Sequence, residues 1–230
     1  MNVALEMNSA VLTLEPGETF YLKNTVLRGV KDFNWCVIPP YFLGSPIVRI
    51  LYGSYFKMRC VKAPQDQPRQ VSLRGVHARG NFHAIKIAPK EKYYVNGHYL
   101  AGFSDGLGGL CTHIKFRLGF WMLRRHFFPV FTGPGTVLIY SESPIEEAQD
   151  KEFQPDRLMA FNIDREFFPL APQPTALWSK LANLFSTEVI WVFKDDGISI
   201  ATRHTVDKEE DENKTFFRRL FEHGLGLLKF

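Results

Sequence analysis

Short apolar runs recur along the chain, each cut off by a cluster of Pro, Gly, Asp or Asn. Residues 11–14 (VLTL) lead into Glu15-Pro16-Gly17-Glu18 and then into residues 19–22 (TFYL), which reads as strand, turn, strand. The arrangement returns at residues 85–87, 88–91 and 92–95, and again at residues 158–161, 162–165 and 166–170. Each copy closes on two adjacent aromatics: Phe20-Tyr21, Tyr93-Tyr94 and Phe167-Phe168. Phe20 and Tyr93 are 73 residues apart, and Tyr93 and Phe167 are 74 apart. A near-constant step of that size predicts an internal repeat.

A second element completes each copy. Residues 127–140 (FFPVFTGPGTVLIY) place two apolar, aromatic and β-branched runs around Gly133-Pro134-Gly135. The composition favours a pleated strand over a helix. Gly133 and Gly135 are free to take positive φ and Pro134 fixes its own, so a β-hairpin is predicted. Phe131 lies 38 residues after Tyr93, and Met58 lies 38 after Phe20, ahead of a looser turn over residues 62–68 and a strand at 70–73. In the third copy residues 189–193 and 198–201 flank Lys194-Asp195-Asp196-Gly197, a turn with Asp-Gly where φ > 0 is wanted, and the spacing falls to 26. The pattern predicts an all-β protein of three degenerate β-sandwich or double-stranded β-helix-like repeats, over residues 1–80, 81–156 and 157–206.

The segments between are irregular. Residues 32–53 are apolar and punctuated by Pro; residues 100–125 are Gly-rich and then basic and apolar. Residues 174–186 suit a short helix, with Leu177, Leu181 and Leu184 at spacings of four and three. The tail differs in kind. An acidic linker at 207–213 precedes a predicted amphipathic helix at 215–230, where Phe216, Phe217, Leu220, Phe221, Leu225 and Leu228 recur at helical spacing beside Arg218, Arg219 and Lys229. Gly224 and Gly226 weaken that helix by about 1 kcal/mol each. It reads as a docking or oligomer-packing helix, with adsorption to a membrane surface as the alternative.

Composition narrows the class. Twenty-one Phe and eight Tyr among 230 residues argue for a well-packed core. The net charge of +4 is mild but unevenly spread: residues 57–92 hold nine Lys and Arg against Asp66 and Glu91, while residues 142–156 and 207–212 are acidic. Subunits that meet basic face to acidic face would fit, as would a solvated surface. Cys36, Cys60 and Cys111 are isolated and odd in number, which favours a reducing compartment over disulfides or structural zinc. The N-terminus lacks the basic and apolar regions of a signal peptide, and no uncharged run reaches the roughly 20 residues of a spanning helix. A cytoplasmic protein, peripheral at most to a membrane, is expected.

Chemical motifs are sparse. His77 and His83 stand six apart and His98 and His113 alone, so no metal-ligand spacing arises, and exposed or hydrogen-bonded imidazoles are expected. No GxSxG elbow and no phosphate-binding glycine loop in strand–helix context occurs. The glycines of residues 97–109 are read as serving turns, and Asp164-Arg165-Glu166 as solvated surface. Basic residues interleave with aromatics at 86–94 and 115–126, a pattern that could neutralise phosphate and stack bases. Core-in, solvent-out strands give the same alternation.

Three segments in order carry a resemblance: Leu14–Glu18 (LEPGE), Gly97–Phe103 (GHYLAGF) and residues 127–141 (FFPVFTGPGTVLIYS). Together they resemble the altered inheritance of mitochondria protein 24 family, whose members carry a GHLVAF-like segment and then an aromatic strand entering Gly-Pro-Gly-x-Val. The likeness spans roughly residues 10–206. It implies β units like those of the trp RNA-binding attenuation protein, repeated in the chain and assembled as a trimer, with no known catalytic site. Mitochondrial members of the family are linked to inner-membrane organisation and respiratory-complex assembly. This chain departs from the pattern in lacking Gly-Pro-Gly in its first copy, in carrying Asp-Asp-Gly in its third, and in its tail.

The expectation is a non-enzymatic, homo-oligomeric (trimeric) β scaffold or assembly factor that binds no cofactor and no metal. Its contact candidates are Arg117, Arg124 and Arg125 together with Phe216, Phe217, Arg218, Arg219, Leu220 and Phe221 of the tail, facing a protein partner or a membrane. An RNA- or single-stranded-DNA-binding module is the alternative, and a metal-dependent cupin-like enzyme the third.

Overall fold

The computed structural model describes residues 1–6, 8–23, 34–36, 58–77, 79–108, 110–114, 127–155, 157–170 and 190–202. The predicted helices at 174–186 and 215–230 lie outside them. Every element described is a strand, so the all-β prediction holds. In chain order they are β1 (Asn2–Glu6), β2 (Ser9–Leu14), β3 (Thr19–Lys23), β4 (Asn34–Cys36), β5 (Met58–Lys62), β6 (Arg69–Arg74), β7 (Asn81–Ile87), β8 (Lys92–Val95) and β9 (Leu100–Ser104). There follow β10 (Leu110–Ile114), β11 (Phe127–Thr132), β12 (Gly135–Ser141), β13 (Ile145–Ala148), β14 (Glu152–Phe153), β15 (Leu158–Asn162), β16 (Phe167–Leu170), β17 (Ile190–Phe193) and β18 (Ser199–Thr202). They form four antiparallel sheets: β1-β2-β6, β4-β5-β3-β9-β12-β7, β10-β11-β8-β15-β18-β13 and β14-β17-β16.

Residues 127–140 are not a hairpin. β11 pairs with β10 and β8, whereas β12 pairs with β7 and β9, so the two strands belong to different sheets. The Gly133–Pro134 peptide, which is cis, joins them as an arch from one sheet to the next. The predicted turn between β17 and β18 is an arch too, since β17 pairs with β14 and β16 and β18 with β13 and β15. Nor do the glycines serve the purpose the sequence suggests. Positive φ among glycines occurs at Gly17 alone of the described residues. Gly133 is glycine because a Cβ there would lie 2.1 Å from the Ala88 carbonyl oxygen and 2.7 Å from that of Ile87.

The same nested pairing occurs three times. β2 pairs with β6 while β3 pairs with β5; β7 pairs with β12 while β8 pairs with β11; β15 pairs with β18 while β16 pairs with β17. Each set thus consists of two arches laid one over the other. A backbone hydrogen bond ties the arches at matching places, from Ala63 N to Glu18 O (2.9 Å), Gly133 N to Glu91 O (3.0 Å) and Lys194 N to Glu166 O (3.0 Å). The first arches of the first two sets are also the same turn. Pro16 and Pro89 precede Gly17 (φ 79°) and Lys90 (φ 71°), and the following Glu N–H closes back on the Glu15 or Ala88 carbonyl, which is a type II turn. The Glu18 and Glu91 carboxylates then accept from the Glu15 and Ala88 amides at 2.7 and 3.0 Å.

Three cores fill the spaces between the sheets. Leu12, Leu14, Phe20, Val61, Leu73, Phe82, Leu138 and Tyr140 are among those packed between the first and second sheets. Tyr21, Ile85, Phe103, Phe131, Val137, Ile139, Met159 and Ile200 help fill the space between the second and third. Tyr94, Val130, Phe161, Phe167, Trp191 and Phe193 are prominent between the third and fourth. Strand period two divides each inner strand between two cores: Val137 and Ile139 of β12 face the middle core, Leu138 and Tyr140 the first. That is why β12 and β18 are apolar or small throughout, whereas β2 and β6 of the outer sheet alternate. The third core is aromatic. Phe161 lies 4.9 Å from Phe167, 5.0 Å from Phe193 and 5.9 Å from Trp191 by ring centroid, mostly edge to face. Such pairs contribute about 0.5–1.5 kcal/mol each beyond the area they bury.

Candidate functional site

Polar chemistry in this fold collects at the rim of the two inner sheets. β7 ends the second sheet and β13 ends the third, and the chain crosses between those sheets as it leaves β12. His83 on β7 has the parity of Ile85 and Ile87 and so faces the middle core, on the side from which Ile145 of β13 approaches. Its Nε2 stands 3.6 Å from Glu147 Oε1. Farther along, His77 Nε2 stands 2.7 Å from Glu142 Oε1, both side chains about half exposed. Burial pushes the His83 imidazole below its usual value, and the Glu147 carboxylate partly offsets this. Burial pushes the Tyr93 phenol up; the Glu91 carboxylate adds to that, Arg165 opposes it, and Glu147 raises it again.

Tyr140 anchors the loop that carries His77. Its Oη accepts from the His77 N–H at 3.0 Å and lies 3.3 Å from the His77 carbonyl oxygen. The ring fills the space where a Cβ on Gly75 or Gly80 would lie, 2.3 Å from its Cε2 in each case. Among the described residues no three His, Cys, Asp or Glu come together. The His–Glu pairs supply proton acceptors at this rim.

A second polar centre corrects the sequence reading of Asp164-Arg165-Glu166 as solvated surface at its middle residue alone, since Asp164 and Glu166 are exposed. Arg165 is 7 % exposed. Its Nε donates to Asp195 Oδ1 at 2.7 Å, its Nη1 to the buried Ser199 hydroxyl and its Nη2 to the Asp195 carbonyl at 3.1 Å. The guanidinium also lies over the Phe193 ring, 4.3 Å from the centroid. Gly197 is glycine to admit it, since a Cβ there would meet Arg165 Nε at 2.8 Å. The guanidinium holds one arch to the other. Only the nesting of the arches brings residues 30 and 34 positions apart together, and local sequence carries no sign of it.

Lys23 is a third unusual group. Its Nζ donates to the Gly97 carbonyl at 2.8 Å, and burial lowers its pKa from the ordinary lysine value.

Arg117, Arg124, Arg125, Phe216, Phe217, Arg218, Arg219, Leu220 and Phe221, the contact candidates from the sequence, lie outside the described residues. Of the basic–aromatic stretch at 86–94, Lys86, Lys90 and Lys92 are exposed, whereas Tyr94 is buried beside Phe161 and Trp191 and offers no face for a base. Among the described residues no helix is long and apolar enough to cross a membrane.

No protein-family model and no curated protein matches the chain. Among solved structures, the X-ray crystal structure of a Streptococcus pyogenes protein, a structural-genomics target, matches with a TM-score of 0.61 and 12% identity, covering 99% of each chain. At that identity the likeness shows the fold alone.

Proposed function

We propose that the chain is a non-enzymatic β scaffold or assembly factor that works as a homotrimer. It is built from three copies of one two-arch unit over residues 1–80, 81–156 and 157–206. A tail at 207–230 meets a protein partner or a membrane surface. The observation that supports this reading is the threefold recurrence of nested arches with the same arch-to-arch hydrogen bond. Each inner strand serves two cores, and the polar groups with identifiable partners brace the arches and the rim. Such a body presents surfaces and edges more than a reaction centre.

Sedimentation velocity at micromolar concentration tests it. A species about three times the 26.5 kDa chain mass is expected. A monomer at that concentration overturns the oligomeric reading. Deletion of residues 207–230 should leave the trimer folded and abolish capture of its partner or of anionic vesicles.

A further inference from the structure

Residues 141–148 tie the second arch set to the third. β12 ends at Ser141 in the second sheet, and β13 then pairs with β18 in the third over Ile145–Ala148. Two histidines on the side of the second sheet hold this crossing, His77 at Glu142 (2.7 Å) and His83 at Glu147 (3.6 Å). Among the described residues β13 is also held by its four-residue ladder to β18, by Ile145 against the middle core and Ala148 against the third, and by Glu146 at 3.8 Å from Arg157. β13 is therefore a short edge strand, bound on one side by a ladder and on the other by imidazole–carboxylate contacts.

Among the described residues the charged surroundings of His83 are few. β13 brings Glu147, and Tyr93 of β8 senses that same carboxylate. β12 faces His83 with Ile139. β1 and β2 pack on the other side of β7, against Phe82 and Ala84. We propose that residues 141–148 form an acid-releasable clasp, in which protonation of the inward-facing His83 loosens β13 from β7 and frees the second arch set from the third at this rim.

The sign follows from the surroundings. Burial lowers His83 more than Glu147 raises it. The closed clasp therefore takes up a proton less readily than the open one, in which the imidazole is solvated. Its closure is fully stabilised above the ordinary imidazole value. That stabilisation is lost as pH falls through the ordinary value towards the lowered one.

Amide hydrogen exchange on the full chain, corrected for intrinsic exchange, reads the clasp directly. Between pH 7 and pH 5 the protection of residues 145–148 should fall severalfold relative to β12, and His83→Gln, which cannot titrate, should abolish that fall. An unchanged ratio, or the same fall in H83Q, overturns the proposal. A direct titration of the His83 ring by NMR in the unmodified protein decides the matter even where H83Q does not fold. A midpoint below the usual histidine value is expected, and one at or above it overturns the proposal.

Discussion

Gly133→Ala is the sharpest perturbation of the arch architecture. The added methyl would lie 2.1 Å from the Ala88 oxygen, 2.7 Å from the Ile87 oxygen and 2.9 Å from the Ala88 carbon, all main-chain atoms. A flexible side chain could turn away, but these atoms cannot. Ile87 is fixed by the β7–β12 ladder, whose seven pairs run from Gly135–Ile87 to Ser141–Asn81. Gly133 is itself bonded to Glu91 at 3.0 Å. Relief therefore requires the two arches to part, with loss of that hydrogen bond and of packing beneath it. Overpacking that side chains can absorb costs about 1–3 kcal/mol, so about 3 kcal/mol or more is expected where backbone must move. For a chain of this size that lowers Tm by about 6–12 °C.

Two further glycines give the prediction an internal scale. At Gly135 the methyl would meet Leu107 Cγ at 2.6 Å and Ser104 Oγ at 2.8 Å, both side-chain atoms, so a loss of about 1–3 kcal/mol is expected. At exposed Gly106 the nearest atom is 3.6 Å away, and the change should stay within about 0.5 kcal/mol. Urea and thermal unfolding of the three variants should rank them in that order. A Gly133→Ala loss below about 1 kcal/mol, or one matched by Gly106→Ala, would refute the reasoning that backbone approach is what requires glycine here.

The remaining predictions concern the other arches. Lys90 holds φ 71° where its counterpart in the first arch is a glycine at φ 79°. A left-handed side-chain residue costs about 1–2 kcal/mol, and glycine's added freedom when unfolded returns about 0.4–1. Lys90→Gly should therefore stabilise the protein by about 0.5–1 kcal/mol in urea unfolding, and a loss of stability would count against the turn assignment. Arg165→Met should cost about 2–4 kcal/mol, from the unpaired buried Ser199 hydroxyl and the lost guanidinium–Phe193 contact. Asp195→Asn should cost under about 1 kcal/mol, because that carboxylate is 49% exposed and recovers water. Equal losses from the two would show that the ion pair, not the buried hydroxyl, is what counts.

The strands were largely legible and their partners were not. VLTL, TFYL and VLIY announce themselves through composition, and the 73-residue step aligns Gly17 with Lys90. A two-residue connection rich in glycine fits a hairpin as well as an arch, because the decision rests on which distant strands compete for each ladder. One local sign was available: residues 136–140 (TVLIY) do not alternate, and a hairpin with one wet face would. The short acidic β13 (IEEA) carries no strand signal, being an edge whose outward residues meet water. The burial of Arg165 is hidden from the sequence for a similar reason, since the turn around it is polar and only the opposing arch encloses it.

Nesting has a consequence for how far the three arch sets are separate bodies. The first core draws Phe82, Ala101, Leu138 and Tyr140 from beyond residue 80, and β9 lies between β3 and β12 in one sheet. The middle core takes Tyr21 from before that boundary and Met159, Ala160 and Ile200 from after residue 156. The third core takes Tyr94, Val130 and Phe153 from the middle set. A shift of β12 by one residue would exchange its contributions to two cores at once, and the irregularity at Leu138–Ile139 lies within that same strand. As in stacked repeat proteins, stability resides in the seams between neighbours as much as within each set. A perturbation at one seam is therefore felt in two cores, and β13 at the rim, laddered to β18 alone among the described strands, also touches two, through Ile145 on the middle core and Ala148 on the third.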